Sequence, residues 1–292
     1  MSEPAISKDV ECSLRLERFS QLERFPHVAP QSFSLPWLIA FTTLARREEE
    51  SSETFDFAAG KGEKCRRELE AAIAPLDVTW LSLEHGAKIV TLNSDNVRGA
   101  DATRDAGAIR GNAGDAGGAS ASSSPNADAA IITQPGTAAA FTTADCLPLV
   151  CVDTQNRVVA AIHAGWRGLA AGIIEQTLER LKKECATSPE QLKVWLGPAI
   201  ARDDYEVGAE VRDALLARPG ITEACFLPSP CDPARFLADV PGAATALLTS
   251  HGVPAQNIER CPFSTRQNPL LHSFRRDGLQ SGRMATLVGI AV

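Results

Sequence analysis

The stretch from Phe141 to Leu169 constrains the fold most, because three short apolar runs follow one another there and chemically reactive side chains stand at their ends. Apolar and β-branched residues bounded by turn residues predict three strands, over residues 137–143, 147–152 and 157–162. Cys146 and His163 then fall at strand edges. Polar, reactive residues at the ends of strands are typical of an active site rather than of a packed core.

Two glycines follow the third of these strands. Gly165 and Gly168 predict a sharp turn into a helix that begins near Leu169, with its first amide groups free to face an anion. Apolar residues then recur at helical spacing as far as Leu181, which predicts a helix up to Cys185.

Composition and charge exclude several classes of protein. The net charge of −7 argues against nucleic-acid binding, which needs a basic surface. No apolar run is long enough to cross a bilayer, and the first residues lack the pattern of a secretory signal. The eight cysteines include no CxxC pair, so we expect reduced thiols and no zinc ribbon. These features predict a cytoplasmic enzyme that is not bound to a membrane.

The chain divides into a lead-in and one domain. We expect residues 1–35 to be loosely structured and residues 36–292 to form a single catalytic domain. Gly, Ala and Ser dominate residues 98–128, which predicts a disordered insertion, because such residues bury little apolar surface. Strands and helices alternate without a regular βαβ repeat, which indicates mixed sheets. The remaining elements are predicted as strands over 37–43, 78–83, 192–196, 236–240 and 284–292, and helices over 63–74 and 242–250, with a short apolar segment over 88–92.

His85, Cys146 and His163 allow three interpretations. Two imidazoles and a thiolate would bind zinc or copper and leave one coordination position open. Alternatively, Cys146 is a nucleophile with His163 as its base and Asp145 as the nearby acid. In the third interpretation, the cysteine is a buried core residue and the histidines are structural. The residues alone leave all three open.

Four arginines lie beside glycines or in polar turns, where a guanidinium can clamp a phosphate or carboxylate. They are Arg167, Arg275, Arg276 and Arg283. The chain has no P-loop and no GxGxxG motif after a strand, so no nucleotide cofactor is expected.

Six segments resemble one known family, the YfiH-like laccase-domain proteins, described both as multicopper polyphenol oxidases and as purine nucleoside phosphorylases. The segments are TADCLPLV at 143–150, HAGWRGL at 163–169, LGPAI at 196–200, YEVG at 205–208, and SFRRDG with SGRMATL at 273–287. Their order and approximate spacing also match, over roughly residues 75–292.

The resemblance implies an α+β fold, a layered sandwich of mixed β-sheets flanked by helices. It also implies a metal site formed by His85, Cys146 and His163, with zinc as the expected ion and copper as the alternative. The implied activities are phosphorolysis of adenosine, inosine, guanosine and methylthioadenosine, and deamination of adenosine.

Within that site, Cys146, His163 and Arg167 are the expected catalytic residues, and Arg275 and Arg276 are expected to bind phosphate. The expected partners are purine nucleosides and phosphate.

The amino-terminal part departs from the family pattern. Leu44 stands where members usually have an arginine, and Leu83 stands where they usually have a glutamine. Both replacements are expected to remove polar groups from the substrate side. Two alternative functions therefore remain beside the purine enzyme: a copper-dependent polyphenol oxidase and a metal-binding member with weakened catalysis.

Overall fold

The computed structural model describes residues 21–32, 35–46, 54–93 and 124–292. Within them, fourteen strands are β1 His27–Val28, β2 Leu38–Thr43, β3 Asp77–Trp80, β4 Ile89–Leu92, β5 Ala129–Ile132, β6 Thr137–Thr143, β7 Leu147–Asp153, β8 Val158–Ala164, β9 Leu192–Leu196, β10 Glu206–Val207, β11 Phe226–Pro228, β12 Phe236–Ala238, β13 Ile258–Arg260 and β14 Met284–Ile290. Six helices are α1 Glu63–Ala72, α2 Trp166–Ala170, α3 Ile173–Cys185, α4 Ala209–Leu216, α5 Val240–Ser250 and α6 Phe274–Asp277.

Two large sheets form the centre of the molecule. One has the strand order β1-β2-β14-β6-β3, and the other has the order β13-β9-β7-β8-β5-β4. Each contains both parallel and antiparallel pairs, because β3 runs parallel to β6 and β14 antiparallel to it, while β4 runs parallel to β5 and β8 antiparallel to it. A third sheet has the order β10-β12-β11. The predicted α+β class with mixed sheets is confirmed.

Three apolar clusters define the layers. The cluster between the two large sheets takes residues from both, including Phe141 and Trp195. A second cluster joins the six-stranded sheet to α3, α4 and α5. A third covers the outer face of the five-stranded sheet and includes α1 and Phe25. The molecule is therefore a sandwich of two sheets with helices outside both, and burial of apolar side chains in all three clusters stabilises it.

Three short connections take the chain between the two large sheets: residues 133–136 join β5 to β6, and the other two position the site. β3 belongs to the five-stranded sheet and β4 to the six-stranded sheet, and the connection between them is residues 81–88. β6 and β7 are related in the same way through residues 144–146. Because strands β3 and β6 are parallel neighbours, these two connections leave the same end of the sandwich.

Several predicted boundaries differ from the structure. The helix expected from Leu169 begins earlier, at Trp166, and is broken at Gly172, whose φ of 82° is left-handed. The predicted strand over 78–83 ends at Trp80. The strand predicted to reach Val240 stops at Ala238, because Asp239 caps α5 by accepting a hydrogen bond from the Gly242 amide at 2.8 Å.

The described part of the predicted lead-in is packed against the domain. Leu22 and Phe25 are buried in the cluster on the outer face of the five-stranded sheet, and β1 pairs with β2. The predicted insertion over 98–128 lies outside the described residues except for its last five. Those five pack onto the sandwich, since the Ser82 amide donates to the Pro125 carbonyl and the Asp128 carboxyl is fully buried.

The described helices include none that is both long and apolar enough to span a membrane.

Candidate metal centre and its cavity

Two of the connections between the sheets position the predicted metal ligands. His85 lies in the connection from β3 to β4, and Cys146 lies in the connection from β6 to β7. His163 is the last residue but one of β8 and pairs with Pro148 at the start of β7. Sheet topology thus brings together three residues that are 61 and 17 positions apart in the chain.

The three side chains form a compact set of donors. Their ligand atoms all lie within 4.8 Å of one another, and the two imidazole rings meet edge to face with centroids 4.8 Å apart. A β-carbon added at Gly165 would lie 3.1 Å from the Cys146 sulfur, so the glycine leaves room around these donors. Two nitrogens and one sulfur suit zinc and also copper. The residues therefore fit a metal ion held by three protein ligands.

Asp128 fixes two of the three ligands. Its Oδ1 accepts hydrogen bonds from Nδ1 of His163 and from the amide of His85, each at 2.9 Å. Its Oδ2 accepts from the amide of Gly86 at 2.8 Å. The bond to Nδ1 leaves Nε2 of His163 for a metal, which is the usual role of a carboxylate behind a zinc-binding histidine. One buried carboxylate therefore orients both the ring of His163 and the loop of His85.

The electrostatics of the centre favour a thiolate. Burial alone would raise the pKa of Cys146, but hydrogen bonds and charge from His163 and His85 outweigh it and lower that pKa to about 6. Burial alone would lower the pKa of His163, and its bonds to Asp128 and Cys146 instead raise that pKa to about 9. The thiolate is the protonation state that a metal ion needs from a cysteine ligand.

A cavity of about 680 Å³ opens in front of these ligands. This volume lies in the range of small-molecule sites. Its wall contains Leu81, Leu83, Trp166, Tyr205 and Phe274, together with Arg66, Arg167, Arg275 and Arg283.

The arginines of the cavity differ from those elsewhere. Each of the four has its guanidinium carbon over an aromatic ring, at 4.3 to 5.7 Å from the ring centroid. Among the described residues, none of the four forms an ion pair with a carboxylate, whereas nine arginines outside the cavity do. Aromatic contacts hold a guanidinium in place without neutralising its charge. The cavity therefore offers positive charge to an anionic ligand.

The structure brings three of the four predicted arginine candidates into the cavity and leaves one out. Arg167, Arg275 and Arg283 line it, but Arg276 does not. The Arg276 guanidinium donates to the carbonyls of Thr265, Arg266, Asn268 and Leu271 and pairs with Asp277. Because these bonds occupy its donors, Arg276 stabilises the loop before α6 and is not placed to bind phosphate.

Asp145 does not face the histidine, contrary to the nucleophile interpretation. Its carboxylate accepts from the Thr265 hydroxyl and from the Arg275 amide, each at 2.6 Å. The acid behind His163 is Asp128. Since a second imidazole, that of His85, also converges on the Cys146 sulfur, the arrangement suits metal binding better than a nucleophile with a single base.

The two departures in the amino-terminal part have different positions. Leu83 lines the cavity as expected, whereas Leu44 is buried between the two sheets and does not line it. Sequence reasoning also missed three residues of the site: Asp128, Arg66 and Phe274. A polar residue directly before the buried strand β5 is a signal for Asp128, and Arg66 and Phe274 have no comparable signal.

This fold and site define a layered α+β protein with two histidines and a cysteine arranged to fit a metal ion, in an arginine-lined cavity. A family model described as multi-copper polyphenol oxidoreductase laccase matches residues 59–291. The chain belongs to this family.

Relatives in the family have been named as enzymes of purine nucleosides. The chain is 44% identical over 163 residues to a purine nucleoside phosphorylase of Pseudomonas aeruginosa and 39% identical over 168 residues to the purine nucleoside phosphorylase YfiH of Escherichia coli. It is 34% identical over 160 residues to adenosine deaminase RL5 of an unknown prokaryotic organism. The first two matches cover 56% of this chain and 64% of each relative, and the third covers 54% and 60%.

Solved structures show the same fold. The YfiH protein of Bacillus licheniformis superposes with a TM-score of 0.75 at 21% identity, covering 92% of this chain and 97% of that one. YlmD of Geobacillus stearothermophilus gives a TM-score of 0.73 at 24% identity over 91% and 97% of the two chains.

Proposed function

We propose that this chain is a cytoplasmic, zinc-dependent purine nucleoside phosphorylase that acts on adenosine, inosine, guanosine and methylthioadenosine and also deaminates adenosine. The observation that supports it best is the convergence of His85, Cys146 and His163 beside the guanidinium groups of Arg167 and Arg275, which form no ion pair with a described carboxylate. A metal centre next to a site for an anion fits an enzyme that uses phosphate as a substrate. The names of the relatives agree with this chemistry.

Arg167 and Arg275 are the residues to which we assign phosphate. Both line the cavity, and both lie close enough to Tyr205 to affect its titration. Burial and the nearby Cys146 raise the pKa of Tyr205 to about 12, so its hydroxyl stays protonated and able to donate. The Arg275 amide donates to Asp145, the residue before Cys146, so Arg275 lies on the metal side of the cavity. Phosphate held there would be next to the reacting centre.

The residues then have distinct tasks in phosphorolysis. A phosphate oxygen forms a bond to C1′ of the ribose while the bond from C1′ to the base nitrogen breaks. The electron pair of the broken bond leaves with the base, and the base takes up a proton. Arg167 and Arg275 orient the phosphate for this in-line attack and compensate its charge. When bound, zinc supplies Lewis-acid chemistry at the position that its three protein ligands leave open.

Copper oxidation of phenols is the weaker alternative. A multicopper cluster needs many imidazoles, and the chain has five histidines. The rings of His27, His251 and His272 bond to the carbonyls of Phe25, Leu247 and Phe55, each outside the metal centre. Only two histidines are left for a metal, so oxygen consumption with a phenol should be absent from copper-loaded protein.

Metal content and turnover, measured on one preparation, test the proposal. Parent protein should contain stoichiometric zinc and release adenine from adenosine with phosphate, and inosine without it. Cys146→Ala should lose the zinc and both activities. Cys231→Ala, which removes an exposed cysteine, should retain all three and is the matched control. Bound zinc without turnover of any purine nucleoside would contradict the proposed enzymatic activity. It would favour a metal-binding family member with weakened catalysis.

The phosphate assignment has its own test. Arg275→Ala and Arg167→Ala should each raise KM for phosphate by about 10-fold or more, because a charged hydrogen bond contributes about 1.5–3 kcal/mol. Arg235→Ala, an exposed arginine paired with Glu206 and Asp232, is the control. If KM for phosphate is unchanged in Arg167→Ala or Arg275→Ala, the replaced arginine does not bind phosphate.

A further inference from the structure

Phe274 is an exposed aromatic ring at the cavity. Large apolar side chains that are exposed among the described residues are Leu227, Phe274, Leu279 and Val292. Phe274 lines the cavity, and the other three do not. Its exposed fraction of 46% is high for a phenylalanine, because exposed aromatic surface forgoes the favourable free energy of burial.

The backbone around Phe274 is fixed on both sides. Ser273 is buried and caps α6 through its hydroxyl, which accepts from the Arg276 amide at 3.2 Å. The Arg275 amide donates to Asp145 at 2.6 Å, which ties α6 to the connection that bears Cys146. The bonds of the Arg276 guanidinium to four carbonyls hold the preceding loop. The ring is therefore exposed by a well-anchored segment and not by a loosely held loop.

The surroundings of the ring suit a flat, largely apolar group. The Arg283 guanidinium carbon lies 5.7 Å from the ring centroid and contributes a cation–π contact. Leu81 and Leu83 add aliphatic surface to the same cavity. Nucleobases stack on aromatic side chains and on guanidinium planes, and every base offers such a face. A ring left open at this wall matches the face of a purine.

We propose that Phe274 is the stacking platform for the purine base, an inference that rests on the proposed function and assigns its base-binding residue. Stacking contacts the face of the base and does not distinguish a 6-amino from a 6-oxo substituent. Phe274 therefore contributes equally to binding adenosine, inosine and guanosine. It contributes nothing to the binding of phosphate, because the arginines on the metal side bind that substrate.

The test compares variants that keep or remove the ring. Phe274→Leu keeps an apolar side chain without the ring, Phe274→Tyr keeps the ring, and Leu279→Ala removes an exposed apolar side chain, 88% accessible, from the same segment outside the cavity. Inosine binding is measured by calorimetry on zinc-loaded protein without phosphate. Steady-state kinetics then give kcat and KM for inosine, guanosine, adenosine and phosphate.

Phe274→Leu should weaken inosine binding and raise KM for all three nucleosides by about 5- to 20-fold, with KM for phosphate and the zinc content unchanged. Phe274→Tyr and Leu279→Ala should match the parent. Parent-like nucleoside binding in Phe274→Leu would overturn the inference, and so would an equal loss in Phe274→Tyr or Leu279→Ala.

A parent that binds inosine without turning over any nucleoside would remove the proposed activity but leave the inference to be judged by the binding data. A parent that binds no nucleoside would overturn both.

Discussion

The two ends of the six-stranded sheet each have a fully buried aspartate, yet among the described residues only one end has a group of reactive side chains. Asp153 ends β7, and its carboxylate accepts from the amides of Gln155 and Asn156 and from the Thr187 hydroxyl. Asp128 precedes β5 and accepts from the ring of His163 and from backbone amides of the 84–86 loop. Burial alone would raise the pKa of either carboxyl, and hydrogen bonds lower both.

The difference between the two ends lies in the partners. The bonds to Asp153 come from neutral groups, in the turn at residues 153–156 and at the Thr187 hydroxyl after α3, so its charge stabilises the fold and acts on no reactive group. Asp128 instead bonds to the imidazole of His163, which faces a cavity, so its charge also affects the orientation and protonation of a proposed metal ligand. A buried carboxylate becomes functional through the group that it orients and not through its own burial.

The largest expected effect is a difference in alkylation rate between two cysteines at the same strand. Cys146 has a pKa of about 6, whereas burial raises the pKa of Cys151 on β7 to about 12. At pH 7, about nine-tenths of Cys146 is then thiolate and almost none of Cys151. In metal-free protein, iodoacetamide should alkylate Cys146 at least about 100-fold faster than Cys151.

Peptide mass spectrometry of timed samples measures both rates. Lowering the pH from 7 to 5 protonates Cys146 and should slow its alkylation by about 10-fold, since only the thiolate reacts. Zinc should protect Cys146 and leave the other thiols unaffected. Equal rates for the two cysteines would contradict the account of the centre given above.

Replacing each of the two aspartates by asparagine tests the comparison directly. Asp128→Asn should lower zinc affinity by about 10- to 100-fold, because the carboxylate that orients His163 is replaced by a neutral amide. Asp153→Asn should bind zinc as tightly as the parent. Competition with a chromophoric chelator gives both affinities. Comparable losses in the two variants would mean that buried carboxylates support zinc binding only through general stability.

The sequence predicts the strands around the site well, but it does not predict which side chain contacts His163. β6, β7 and β8 are predicted to within two residues because their apolar runs are short and bounded by turn residues. Asp145 is the acid that the sequence predicts, because it lies beside Cys146, but its carboxylate bonds to Thr265 and Arg275 instead. Sheet pairing supplies Asp128, 35 residues from His163, and no local pattern shows that pairing.

Arg275 and Arg276 illustrate the same limit on a helix. Adjacent helical residues point about 100° apart, so one faces the cavity and the other faces the loop before α6. The sequence RR does not show which one does so. The role of Asp128 is not predicted for another reason. The Gly, Ala and Ser residues before it predict disorder up to the position where the buried strand β5 begins.

The smallest expected effect is at the structural end of the sheet. Asp153→Asn should destabilise the protein by about 1–3 kcal/mol, because an amide cannot accept all the bonds that the buried carboxylate accepts. Thermal unfolding at pH 7 should show a Tm lower by about 2–8 °C, with zinc bound as in the parent. Asp203→Asn, an exposed aspartate, is the control.

The pH dependence of this difference has a definite sign. Hydrogen bonds hold the pKa of Asp153 below its unfolded value despite burial, so the carboxylate stabilises the fold at neutral pH and loses that contribution as pH falls through the folded pKa. The gap in Tm between the parent and Asp153→Asn should therefore narrow in acid. A gap that stays constant down to pH 3 would mean that the turn at residues 153–156 depends on the shape of the side chain and not on its charge.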